Sequence, residues 1–94
     1  MSRSFKSDRP AAFKLRVYFI DGGTVSLKSR DYRGKVYLPA GGLTRLIGYV
    51  TRHRHRIKTA LIYDKRGGKD DLIGKYLNQT WSVDPNDYLN TINQ

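Results

Sequence analysis

A chain of 94 residues with a net charge of +10, 38% hydrophobic residues and no cysteine is one small domain around a modest core. These values exclude a disulfide framework and a thiolate metal site, and the aromatic content is too high for a wholly disordered chain. No apolar run approaches a membrane span, and the opening stretch MSRSFKSDRPAAF has no signal-peptide core, so a cytoplasmic setting is expected.

Residues 1–12 read as a flexible basic arm, because Asp8-Arg9-Pro10 resists regular structure. Residues 13–83 form the domain. In Lys14-Leu15-Arg16-Val17-Tyr18-Phe19-Ile20 the apolar Leu15, Val17 and Phe19 alternate with Lys14, Arg16 and Tyr18, which predicts a half-buried strand. Asp21-Gly22-Gly23 supplies a tight turn, and Thr24 to Lys28 returns with Val25 and Leu27 inward and Lys28 outward. A third short strand is expected over Lys35-Val36-Tyr37-Leu38.

Pro39-Ala40-Gly41-Gly42 reads as a break. After it, Leu43, Leu46, Ile47 and Val50 recur at helical spacing and predict a helix over residues 42–54, with Arg45, Tyr49, Arg52 and His53 opposite the apolar stripe. Gly48 weakens that helix by about 1 kcal/mol relative to Ala. Ile57 to Tyr63 is β-rich and predicts a buried strand, with Tyr63 assigned to the core. Lys65-Arg66-Gly67-Gly68-Lys69 is an exposed turn. Asp70 is placed to cap a short helix carrying Leu72, Ile73, Tyr76 and Leu77, with a strand as the alternative because of Gly74 and its β-forming neighbours. Trp81-Ser82-Val83 predicts an edge strand, and Asp84-Pro85-Asn86 turns the chain into a C-terminal tail, 84–94. The expected fold is α+β: a small antiparallel sheet, built from the N-terminal hairpin and one or two further strands, with one or two helices on one face. A small SH3-like or OB-like barrel is the alternative.

Charge is the strongest functional signal. All eight acids are Asp, against 18 Lys and Arg. Residues 39–58 hold five cations and no acid, whereas residues 59–94 hold four cations and five acids. A field of this kind draws in phosphate polymers. The stretch Arg52-His53-Arg54-His55-Arg56-Ile57-Lys58 suits phosphate contacts either as a helix end or as a strand start that aligns Arg52, Arg54, Arg56 and Lys58 on one side. Lys65-Arg66-Gly67-Gly68-Lys69 offers backbone N–H groups beside cations, without the spacing of a nucleotide-binding P-loop. Tyr18, on the basic side of its strand, is the best-placed aromatic for stacking an unpaired base.

His53-Arg54-His55 raises metal chemistry of the rolling-circle nuclease kind, but a third ligand is not evident and Arg stands between the histidines, so no metal or cofactor is expected. Asp31-Tyr32-Arg33 followed by Val36-Tyr37 is similar, over this short stretch, to one strand of the RelE-type ribonuclease toxins, which begin with helices where this chain begins with a hairpin. That resemblance implies a small RNase as a minor alternative.

The sequence thus predicts a non-catalytic nucleic-acid-binding protein. Lys14, Arg16, Lys28, Arg45, Arg52, Arg54, Arg56, Lys58, Lys65, Arg66 and Lys69 would contact phosphates, and Tyr18 would stack on single-stranded DNA or RNA, preferred over duplex DNA because no recognition helix is evident. The main alternative is an interaction or assembly module, such as a small viral or mobile-element accessory protein, with an acidic partner or a second copy of itself.

Overall fold

The computed structural model describes residues 11–92. The elements follow in the order β1 (Phe13–Phe19), β2 (Thr24–Lys28), β3 (Tyr32–Arg33), β4 (Val36–Tyr37), α1 (Pro39–Arg52), β5 (Ile57–Asp64), β6 (Asp71–Leu77), β7 (Thr80–Val83) and α2 (Pro85–Ile92). Five strands form one open antiparallel sheet in the order β2-β1-β5-β6-β7, and β3 and β4 form a separate short hairpin. The sheet does not close, so the barrel alternative falls and the α+β expectation stands.

Strict alternation in β1 buries Phe13, Leu15, Val17 and Phe19 on one face. Val25 and Leu27 lie opposite Val17 and Leu15, and Ala60 and Ile62 of β5 extend the same layer. Onto it α1 presses Leu43, Leu46 and Val50, and Tyr88, Leu89 and Ile92 of α2 pack beside α1 on the same core. Each fully buried side chain of this size contributes about 1.5–3 kcal/mol by leaving water, the main term set against the chain's conformational entropy. The hairpin turn is as expected: Gly22 takes φ +97°, and the Asp21 carboxylate accepts the Gly23 N–H at 2.9 Å.

Several expectations are corrected. α1 begins at Pro39, not at residue 42, and ends at Arg52. Proline at the first helical position gives up an N–H that has no partner within the helix, so Pro39 starts the helix rather than breaking it. Gly42 belongs inside this first turn for a steric reason: a Cβ there would stand 2.5 Å from Oδ1 of Asp31. The third strand is reduced to Val36–Tyr37, paired with Tyr32–Arg33.

Residues 71–77 are a strand, not a capped helix. Gly74 is buried where a Cβ would come within 3.1 Å of Pro85 and 3.3 Å of Ile62, so the glycine lets α2 start directly on the sheet. The expected tail is also structured over Pro85–Ile92. Asp84 accepts the Asn86 N–H at 2.9 Å, the bond of an N-cap with proline just after it. As for the expected arm, residues 1–10 lie outside the described residues. Ala12 does not belong to an arm: it is buried, and its N–H donates to Asp31 at 2.7 Å. Among the described residues no helix is long and apolar enough to cross a membrane.

Candidate nucleic-acid interface

Both helices cover one face of the sheet, and among the described residues no element covers the other face. Strand register arranges that open face in three cross-sheet rows. One runs Lys28, Lys14, Tyr63, Leu72; the next runs Ser26, Arg16, Leu61, Lys75; the third runs Thr24, Tyr18, Thr59, Leu77. Tyr18 is half-buried between two threonines, flanked along its strand by Arg16. Tyr63 lies on this face and not in the core as expected, with the Lys14 ammonium 5.5 Å from its ring centroid. Its burial was misread because β5 alternates with two apolar faces, Ala60 and Ile62 inward and Leu61 and Tyr63 outward.

Lys14 and Lys28 stand directly opposite each other across β1 and β2. Like charges in that position repel. Lys14 is relieved by Asp70, whose carboxylate also takes Lys65 at 3.0 Å. These two ammonium groups hold the Asp70 carboxyl below its usual range. Lys28 has no acidic partner among the described residues, and it links the open face to the second basic feature.

That feature is a groove of about 180 Å³ between the end of β2 and α1. Leu27, Leu46 and Gly42 line its apolar part, Tyr49 contributes a ring, and Lys28, Arg30, Arg45 and Arg52 supply four cations with no acid among the lining residues. The groove exists because Ser29 and Asp31 are pulled inward. Phe13 N–H donates to the Ser29 hydroxyl at 3.0 Å, and that hydroxyl donates to Asp31 at 2.6 Å. With 29 and 31 buried, alternation turns Arg30 outward beside α1.

The stretch 52–58 takes neither of the shapes expected for it. Arg52 ends α1, residues 53–56 form a turn, and Lys58 is the extra residue of a bulge in β5. The four cations therefore do not share one side. Arg54 donates to the Thr51 carbonyl at 3.0 Å, closing the helix end. The Arg56 guanidinium lies 5.0 Å from the Phe19 ring centroid, and His53 rests on Tyr49 at 4.3 Å between centroids. Among the described residues no three metal-ligating side chains gather.

The 65–69 turn is likewise occupied by its own acids. Arg66 donates through Nε and Nη2 to Asp64 at 3.1 Å, and through Nη2 to Tyr88 at 2.7 Å, while Tyr88 in turn donates to Asp64. Burial works to raise the Asp64 pKa, but the bonds from Arg66 and Tyr88 outweigh it and hold the carboxyl below its usual range. The same contacts push the Arg66 pKa up, and burial with the Asp64 bond pushes Tyr88 up. The arrangement is a clasp between β5 and α2. It leaves Lys69, exposed at the tip, as the cation of that turn without an ion pair among the described residues.

The structure thus places Lys14, Arg16, Tyr18 and Lys28 together on the open face and Lys28, Arg45 and Arg52 together in the groove. It sets Arg54, Arg56 and Lys58 apart at the β5 end and engages Lys65 and Arg66 with aspartates. Sequence reasoning missed Arg30 and Lys75. Lys75 was hidden by the helical reading of β6, and Arg30 by an alternation that had to be followed past the end of β2. Comparison with protein families, with curated proteins and with solved structures finds no match.

Proposed function

We propose that this chain binds nucleic acid without catalysing a reaction, holding the phosphate backbone of a single strand, with RNA or single-stranded DNA preferred over duplex. The observation that carries this reading is the acid-free set Lys28, Arg30, Arg45 and Arg52, which joins the open face at Lys28. Phosphate contacts need reach and charge more than exact register, and long side chains along a groove provide both. The neighbouring Tyr18 offers a sequence-tolerant stacking surface for an unpaired base. Among the described residues no helix stands clear of the body with base-reading side chains, so sequence selectivity is weak in this reading. The cysteine-free composition suits a cytoplasmic setting.

The test is fluorescence anisotropy with labelled single-stranded RNA, single-stranded DNA and duplex DNA across a salt series. The expected result is a single-strand preference that persists at physiological salt. Each lost phosphate contact flattens the log–log salt slope by about 0.7 for a single strand, so Arg45→Ala with Arg52→Ala lowers it by roughly 1.4. Weak, polymer-blind binding that disappears by about 150 mM salt would leave only generic charge attraction.

A second reading has its own support. Leu72 and Val83 are exposed at the β6–β7 side of the open face, and an apolar margin of that kind suits an assembly module with a protein partner or a second copy. Concentration-dependent self-association in sedimentation velocity, abolished by Leu72→Asp with Val83→Asp, is the result expected from it.

A further inference from the structure

Next to the basic groove lies a wider pocket of about 480 Å³, lined by Arg30, Asp31, Tyr32, Leu38, Gly41 and Arg45. Its volume falls within the range of about 300–1,000 Å³ typical of small-molecule sites. Its walls differ in chemistry. Tyr32 and Leu38 are 41% and 45% exposed and form an apolar side, with Tyr32 braced against Tyr37 at 5.1 Å between ring centroids. Arg30 and Arg45 form the cationic side, and neither guanidinium has a hydrogen-bond or ion-pair partner among the described residues.

The acid in the pocket is turned away. Asp31 is 4% exposed; its carboxylate accepts Ala12 N–H and the Ser29 hydroxyl, and its carbonyl accepts Leu38 N–H. These bonds stand the β3–β4 hairpin up beside the first turn of α1. Gly41 lies on that turn, and among the described residues a Cβ built there meets nothing within 4 Å, so the space in front of it is open.

We infer that this pocket receives one nucleotide unit of the bound strand, its base against Tyr32 and Leu38 and its phosphate on Arg30 and Arg45. The inference rests on the nucleic-acid reading above and deepens it. A flat apolar group joined to an anion matches the two walls, and Arg30 and Arg45 also line the backbone groove, so the strand enters the pocket from a track it already follows. The site reads base shape and stacking, which tolerates all bases, rather than base-edge hydrogen bonding.

Gly41→Leu tests it without altering charge, since the side chain grows into open space and leucine is a better helix former. Loss of one stacked base weakens binding about tenfold, a value within the stacking range. The expected result is therefore a roughly tenfold weaker affinity for a short single-stranded RNA, an unchanged salt slope and a melting temperature no lower than that of the wild type. Equal RNA affinity for the wild type and a folded Gly41→Leu overturns the pocket while leaving the backbone reading intact. No RNA binding by the wild type overturns both. A measurement that needs no variant is photocrosslinking of a 5-bromouracil-containing strand to the wild type. An adduct on Tyr32 supports the pocket, and adducts confined to Tyr18 or Tyr63 overturn it.

Discussion

At the scale of single residues, most of the fold follows from which positions tolerate a Cβ and which do not. Gly42 and Gly74 admit a neighbour's atoms at distances that a side chain would forbid. The β6–β7 turn shows the reverse case. Asn78 and Gln79 both take positive φ, 55° and 62°. Asparagine tolerates that region, whereas a long side chain in it costs about 1–2 kcal/mol. Gln79→Gly should therefore stabilise the protein by about 0.5–1 kcal/mol after the entropy of the more flexible unfolded chain is subtracted, seen as a higher midpoint in urea at unchanged m-value. Little of this was legible in the sequence. Gly74 was noticed only as a reason for the strand alternative, because what it makes room for, Pro85, comes from another element.

Among the elements, those defined by alternation were the most legible. β1 and β2 follow their pattern because each has one wetter face and one facing the core, buried in β1 and half-buried in β2, so the residue type states the side directly. β5 and β6 were harder, since apolar residues lie on both of their faces, one bulge shifts the phase between them and another shifts β5 against β1. The two helices share one misread signal. Pro39 and Pro85 were both taken as breaks, and both occupy the first helical turn. For α2 the adjacent Asp84 completes the signature, and Asp84→Ala is expected to cost about 0.5–2 kcal/mol, as for other capping side chains. Thermal melting with circular dichroism checks this, and Asp84→Asn should retain most of the stability because asparagine caps nearly as well. The placement of the candidate residues was legible in the same proportion: alternation set the hairpin cations on one face, whereas the shared side expected for the 52–58 run is absent, because consecutive charge says nothing about a turn that scatters it.

For the whole molecule, the decisive arrangement is an open antiparallel sheet with its helices on one side and its surplus cations divided by their environment. Lys14, Lys65 and Arg66 meet Asp64 or Asp70 and serve the fold, while Lys28, Arg30, Arg45 and Arg52 along β2 and α1 form no ion pair among the described residues. Net charge alone could not make that distinction, because pairing depends on which loops fold together.

The clasp of Asp64, Arg66 and Tyr88 is where sheet, turn and second helix meet. The folded state keeps Asp64 ionised below its ordinary value of 3.8. Its contribution is therefore complete above that value and is lost as pH falls through it toward the lowered folded pKa. The consequence is a dynamic one. α2 docks through a short apolar contact and this clasp, so its amides and the Arg66 N–H, which donates to Asp64, should exchange with deuterium as one cooperative unit. Asp64→Asn should speed exchange across residues 85–92 while the amides at the centre of β1 keep their protection, a partial opening in which the helix leaves and the sheet stays.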